Sequence, residues 1–302
     1  GKLVSRNPLP DRGHGFANAA YADWLVAFAR RPGNFAVGFH KQNRTEPLLF
    51  HAPAGRHFYG HGAFSGDGRL LYAAENAFET GDGVIGIYDA TGGFARIGEF
   101  PSHGVGPHEI VMMPDGKTLC IANGGIKTHP DFGRQKLNLA TMKPSVAFVN
   151  AGDGALVSAH RLPPSLHRLS LRHMAVDGSR RVWIGGQYEG DVMDEAPVLA
   201  RLDSDNGLVT IDLPDDIGAL LGKYVGSVAI GEDGRTLAFT SPKAGAIVTL
   251  DTQTAKPLGI ETVPGTCGVQ ADAGGFITSS ETGRFAGSVH DCAWDNHITL
   301  FT

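Results

Sequence analysis

Residues 104–125 read GVGPHEIVMMPDGKTLCIANGG: an apolar strand, a tight turn at Asp115-Gly116, and a second apolar strand ending at Asn123-Gly124-Gly125. Asp-Gly between two hydrophobic runs predicts a β-hairpin, here with a type I′ turn whose two central residues take φ > 0. The hairpin recurs. Residues 59–76 (YGHGAFSGDGRLLYAAEN) repeat it around Asp67-Gly68, and residues 225–241 (VGSVAIGEDGRTLAFTS) around Asp233-Gly234. Weaker copies lie at 171–187 (LRHMAVDGSRRVWIGGQ) and 267–280 (CGVQADAGGFITSS), and a degenerate one opens at Arg12-Gly13-His14-Gly15.

Two outer strands complete each unit. They are expected at 35–39 and 47–51 in the first unit, where 24–29 is the second strand, then at 84–88 and 94–100, and at 145–149 and 155–160. Further pairs are expected at 197–202 and 208–213, 246–250 and 257–261, and 292–294 and 298–301. The turns between these pairs begin with Asp89, Asn150, Asp203, Asp251 and Asp295, whose short polar side chains hydrogen-bond turn backbone. From His14 to His61 is 47 residues, and from His61 to His108 another 47. Four strands repeating every ~40–50 residues are the signature of a β-propeller. An all-β propeller of four-stranded blades is therefore expected, with 1–302 as one domain and a long loop insertion at 126–143. Six units are readable, and a strand at 2–7 (KLVSRN) reads as the outer strand of a blade that joins the two chain ends. Seven blades closed in this way are expected, with six as the alternative.

Composition supports this reading. Glycine is frequent, at 42 of 302 residues, and only 19% of residues are charged, as tight turns and few exposed helices require. A net charge of −5 without a basic tract argues against nucleic-acid binding. No apolar run approaches the ~18 residues of a membrane span. The opening Gly1-Lys2-Leu3, without Met, reads as a processed or trimmed start, and a monomer is expected. Three cysteines (Cys120, Cys267, Cys292) cannot all pair and form no C-x-x-C. Cys120, mid-strand, reads as a small buried hydrophobe. The Gly-Gly pairs open no helices, and neither H-E-x-x-H nor G-x-S-x-G occurs, so phosphate loops, zincins and nucleophile elbows are absent.

Propeller geometry then sorts the polar residues. The start of the innermost strand of each blade shares a face with the loop between the second and third strands. His14, His61, His108 and His173 stand at or near the innermost-strand starts of four consecutive units. Glu75, Asn76, Asn123, Gln187 and Glu281 stand in the loops of the same face, and the insertion adds His129, Arg134 and Lys136. A long insertion on one loop of a repeat fold marks the binding face. These twelve residues are the candidate ligand-binding set, with His61, His108 and His173 as candidate metal ligands. Imidazoles from several blades suit Zn, Cu, Ni or Fe, so a transition-metal ion is the cofactor the pattern points to. Alternatively, one histidine beside a glutamate could act as general base, with Arg134 and Lys136 holding an anionic group. The plainer alternative is that each histidine bonds backbone or a neighbouring blade. His40, His51, His103, His160, His167 and His290 read as scattered surface or turn residues.

PHEIVMMPDGKTLCIAN (107–123) resembles the repeat of lactonase-like and quinoprotein-amine-dehydrogenase-like propellers, a likeness of scaffold. A fuller resemblance runs through RGHGFA, FARRPG, GHGAFSGDGRLLYAAEN, GVGPHEI, ANGGIKTHPDFGRQKLNLATMKPS, LRHMAVD and WDNH. Together these are similar to the bacterial domain-of-unknown-function 1513 family. That resemblance implies a periplasmic propeller, exported by a twin-arginine signal this sequence lacks. It also implies a link to metal, above all iron, handling near imelysin-type and di-haem proteins. Three readings stay open: a propeller binding a metal or small ligand at its histidine-lined mouth, a hydrolase or lactonase-type enzyme, and a scaffold docking a partner protein.

Overall fold

The structure, a computed structural model, describes residues 6–42, 44–191, 193–294 and 297–300. Its strands form six antiparallel four-stranded sheets, each built from strands consecutive in sequence. Blade one holds β1 (Gly13–Ala17), β2 (Trp24–Ala29), β3 (Phe35–His40) and β4 (Leu48–His51). Blade two holds β5 (Arg56–Phe64), β6 (Leu70–Ala77), β7 (Asp82–Asp89) and β8 (Ala95–Pro101). Blade three holds β9 (Pro107–Met112), β10 (Thr118–Asn123), β11 (Ser145–Asn150) and β12 (Leu156–His160). Blade four holds β13 (Leu169–Val176), β14 (Val182–Tyr188), β15 (Leu199–Asp203) and β16 (Gly207–Thr210). Blade five holds β17 (Ser227–Ile230), β18 (Thr236–Ser241), β19 (Ala246–Asp251) and β20 (Pro257–Thr262). Blade six holds β21 (Thr266–Asp272), β22 (Gly275–Ser280), β23 (Arg284–Phe285) and β24 (Ser288–Val289).

Blade count departs from expectation, and the expected joining of the chain ends falls largely on residues outside those described. There are six blades, not seven, because blade six takes its outer strands from Arg284–Val289, directly after its hairpin. Residues 292–294 form no strand, and neither do 298–300. The expected strand at 2–7 and the turn at Asp295-Asn296 fall largely or wholly outside the described residues, as does Phe301. Among the described residues no sheet combines strands from the two chain ends. The segment 297–300 instead lies against blade one, where Asn18 donates to the Leu300 carbonyl at 2.6 Å.

The hairpin turns also differ in type. Gly116 N–H donates to the Met113 carbonyl at 2.9 Å, and of the residues in this turn only Gly116 has positive φ (67°). Asp115 has no positive φ, so a type I turn over Pro114-Asp115 followed by a left-handed glycine takes the place of type I′, and Gly68 and Gly234 close the same turn onto the Ser65 and Gly231 carbonyls. Asp115 caps this turn by accepting from the backbone N–H groups of Lys117 (2.8 Å) and Thr118 (2.9 Å), and Asp233 does the same for Arg235 and Thr236.

Alternation along the strands stacks the blades. On β10, Leu119 and Ile121 face blade two, while Cys120 and Ala122 face blade four. A strand buried on both faces must be apolar at every position, which is why TLCIAN shows no polar alternation. Cys120 is fully buried beside Met174, and all three cysteines are free. Comparable clusters fill the interfaces from blade one through blade six: Phe28, Phe58 and Tyr88 between blades one and two, Trp183 and Phe239 between four and five, Val269 and Ala238 between five and six. The insertion follows β10 and carries two single 3₁₀ turns, at Pro130–Phe132 and Leu139–Thr141. No helix among the described residues is long and apolar enough to cross a membrane.

Candidate functional site

In each of the first four blades the innermost strand is broken by a β-bulge at its histidine. On β1 the pairing jumps from Gly13↔Ala29 to Phe16↔Ala27, leaving His14 and Gly15 opposite one residue. On β5 it jumps from Phe58↔Glu75 to Gly62↔Ala73 across Tyr59, Gly60 and His61. On β9 His108 is the extra residue, and on β13 Arg172 is extra immediately before His173. A bulge bends the strand and re-aims a side chain that regular pleating would point into a blade interface. This also explains why His61 and His108 stand at different distances from their Asp-Gly turns. The registers differ because the bulges differ.

The re-aimed rings meet. Centroid separations are 4.9 Å for His14–His61, 5.1 Å for His61–His108, 4.7 Å for His108–His173 and 5.5 Å for His61–His173. A fifth ring joins from the segment after blade six. His297 lies 5.0 Å from His14, 4.9 Å from His61 and 4.6 Å from His173. Two triads, His14/His61/His297 and His61/His108/His173, each hold their ligand nitrogens within 4.8 Å of one another. The centre of an equilateral triangle of that side lies about 2.8 Å from its corners, so small rotations reach the ~2.0–2.1 Å of a metal–imidazole bond. His61 belongs to both triads, so they are one cluster.

Burial holds four of the imidazoles neutral. Burial, reinforced by neighbouring histidines, pushes His61 and His108 well below the usual histidine range. Burial likewise lowers His173 to about 3, with Arg172 adding to the effect, and His297 to about 3. Neutral imidazole is the form that binds metal. Three buried nitrogens here, His61 Nε2, His108 Nδ1 and His173 Nδ1, have no hydrogen-bond partner among the described residues. Glu109 Oε2 lies 3.4 Å from His173 Nδ1 without the alignment of a hydrogen bond, and accepts from the Met174 N–H at 2.9 Å. Burial raises the Glu109 carboxyl to about 7.

These shifts fix how the metal-free protein responds to acid. Unfolded, each imidazole takes up a proton near pH 6.5; folded, His173 and His297 resist until about pH 3. Between these values the unfolded chain binds more protons. The imidazoles' share of stability is therefore fully present above about pH 6.5 and drains on acidification, by on the order of 1 kcal/mol per pH unit for each imidazole, while Glu109, protonated below about pH 7 in the folded chain, offsets about one imidazole's worth of it. Urea unfolding of metal-free protein at pH 7.5 and 5 should show this loss; equal unfolding free energies would contradict the buried-neutral assignment.

Above the cluster is a cavity of about 220 Å³, lined by His14, His108 and His173 together with Arg30, Arg31, Tyr59, Arg134, Arg172, Gln187 and Tyr224. Three sequence candidates beyond the histidines thus belong to this mouth. Arg134 and Gln187 line it, and Lys136 pairs with Glu189, which also accepts from Arg172 at 3.1 Å. The remaining candidates lie apart from it. Glu75 is mid-strand in β6 and fully buried, with its carboxylate accepting from Tyr88 (2.7 Å) and Arg96 (2.9 Å). Asn76 donates to His57 and to the Thr128 carbonyl, tying β5 to the insertion. Asn123 exchanges hydrogen bonds with Ser102 at 2.8 and 3.0 Å. His129 caps the first 3₁₀ turn and packs on Phe78 and Phe132, and the exposed Glu281 does not line this cavity.

Sequence reading missed His297, Glu109, Arg30, Arg31, Tyr59, Arg172 and Tyr224. His297 stands outside the repeat, so period gave no reason to align it. Arg172 and Glu109 each adjoin a histidine already singled out, and that adjacency was the available signal.

Comparison with known proteins adds the following. A family model described as "Protein of unknown function (DUF1513)" matches residues 7–301. No curated protein matches the chain in sequence. A solved structure titled "Kuenenia stuttgartiensis Hydrazine Synthase" superposes with a TM-score of 0.65, covering 92% of this chain and 83% of that one at 14% identity. At that identity the likeness is one of fold.

Proposed function

The chain belongs to the DUF1513 family, and we propose that it is a propeller whose mouth holds one transition-metal ion on the imidazoles of His14, His61, His108, His173 and His297. The observation that carries this reading is convergence: five rings from four blades and the segment after blade six meet, and among the described residues three of their buried nitrogens have no hydrogen-bond partner. An unpaired buried polar atom costs ~1–3 kcal/mol, so three are an expensive way to fill a channel. Structural histidines in this chain look different. His57 sits 2.9 Å from the Phe58 carbonyl on one nitrogen and 2.9 Å from Asn76 on the other, and His103 bonds the Gly154 carbonyl.

The donor set selects among metals. Imidazoles suit Zn, Cu, Ni and Fe, whereas Mg and Ca want oxygen ligands and Cu(I) wants sulfur; no cysteine joins either triad. Glu109 then acts on His173 as a positioning carboxylate that orients the ring. The resemblance to a family linked with iron handling is compatible with this donor set and supplies the periplasm as the proposed compartment. A second reading, a hydrolase using Glu109 and His173 as an acid–base pair, is favoured by their 3.4 Å separation and the raised Glu109 carboxyl.

Elemental analysis of protein purified without an affinity tag tests the proposal. About one equivalent of a first-row transition metal is expected in the native chain, and less than a tenth of that in a His61→Ala/His108→Ala variant. Equal content in both would reject the metal centre.

A further inference from the structure

The cavity above the histidines is lined by guanidinium groups. Arg30, Arg31, Arg134 and Arg172 line it together with Tyr59 and Tyr224, and among the described residues no carboxylate lines it. Glu189, the nearby acid, is shared between Arg172 and Lys136. Arg31 is crowded by Arg172 and Arg134, and burial with this crowding lowers Arg30 and Arg31 to about 10. Like charges gathered in a partly desolvated recess repel one another, and such an arrangement is stabilised when an anion sits among them. The guanidinium fork matches the paired oxygens of carboxylate and phosphate.

We propose that this vestibule binds a small multivalent anion, a di- or tricarboxylate or a phosphate, which bridges the guanidiniums above and the metal ion below. Size supports it, since about 220 Å³ equals on the order of seven water molecules at ~30 Å³ each, room for a compact anion and too little for a nucleotide. Position supports it too, because His14, His108 and His173 line the same cavity, placing an occupant's oxygen atoms beside the metal ligands. Electrostatics gives the anion a task. A bare cation entering by this mouth meets four guanidiniums, whereas a cation accompanied by a multivalent anion does not. Metal and anion should therefore bind cooperatively, each raising the other's affinity by the same factor. The bridge rests on the metal reading; anion binding by the arginines does not.

Isothermal titration of metal-free protein with citrate, malonate, inorganic phosphate and acetate separates the two. The multivalent probes are expected to bind at least tenfold more tightly than acetate, and the ranking of citrate and malonate against phosphate tells a carboxylate site from a phosphate site. Arg31→Gln should weaken the preferred probe at least tenfold, and Arg134→Gln, on the exposed insertion, should weaken it where Arg31→Gln fails to fold. Zinc loading of the native chain should then tighten the same probe at least fivefold. Binding that ignores valence, or is unchanged in both variants, overturns the anion site. Anion binding that zinc loading leaves unaltered overturns the bridge alone. Anion binding in a protein that takes up none of zinc, copper(II), nickel or iron leaves the vestibule standing, removes the bridge and rejects the metal centre.

Discussion

Metal affinity in His61→Ala is expected to fall by on the order of 100-fold or more, the largest single-residue effect on binding in this chain. Removing an outer partner of a metal ligand costs ~10–100-fold, and removing a ligand itself should cost at least that upper figure. His61 is the position to test because it is common to both triads, whereas His14, His108, His173 and His297 each belong to one. Those four single variants should lose less, and Glu109→Gln, which leaves every imidazole in place, about 10-fold or somewhat more. His129→Ala should leave affinity unchanged, because His129 caps a turn and packs on Phe78 and Phe132 away from the cluster. Competition against a chelator of known affinity reads all of these. The metal-free His61→Ala protein is expected to unfold within about 1 kcal/mol of the native chain. The cavity it opens is offset by removing a buried nitrogen, His61 Nε2, that bonds nothing. A His61→Ala protein that binds metal as tightly as the native chain would contradict the placement of His61 at the shared corner.

Gly60→Ala should destabilise the fold by about 2–6 kcal/mol, combining backbone strain of ~1–3 kcal/mol with overpacking of ~1–3 kcal/mol. Gly60 has φ +105°, a conformation that side chains rarely adopt. A Cβ there would lie 2.4 Å from His14 Cδ2 and 2.9 Å from His14 Cβ, so the His14 ring would have to leave the cluster. The close approach is two-sided, because a Cβ on Gly15 would meet the Gly60 carbonyl oxygen at 2.6 Å and His61 Nδ1 at 2.7 Å. The two glycines therefore let blades one and two bring their histidines together. Metal affinity should fall along with stability. Gly207→Ala supplies the contrast: φ is +67° but nothing lies within 4 Å of the added carbon, so only the ~1–2 kcal/mol left-handed strain is expected. Urea unfolding of the metal-free proteins measures both. A Gly60→Ala protein within 1 kcal/mol of the native chain would show that the bulge has room to relax.

The particular residues show why some of this was legible in the sequence and some was not. Asp67, Asp115 and Asp233 announce their hairpins because turn chemistry is local, and those hairpins locate β5–β6, β9–β10 and β17–β18. The turn type escaped because Asp-Gly fits two turns, and here the aspartate stays at negative φ, capping the turn, while only the glycine takes positive φ. The four strand-start histidines were legible because the repeat places equivalent residues around one axis. Glu75 and Asn76 misled because β6 runs on to Ala77, keeping both inside the blade where Arg96 and His57 engage them. The outer strands of blade six were misplaced in the sequence, since β23 and β24 are two residues each and carry no readable alternation. Arg30 and Arg31 follow β2 in the loop the geometry had already assigned to the mouth, yet no periodic mark drew attention to them. His297 is the instructive omission. Blades five and six offer Ser227-Val228 and Cys267-Gly268 near the starts of their innermost strands, and an imidazole from beyond the repeat joins the cluster beside them.

The centre itself is tested most directly by X-ray absorption at the edge of whichever metal the purified protein carries. Four or five nitrogen neighbours at ~2.0–2.1 Å are expected, with the outer-shell scattering that rigid imidazole rings produce. A spectrum of oxygen neighbours without imidazole scattering, as for a hydrated ion at the surface, would contradict a histidine-bound metal at the mouth of this propeller.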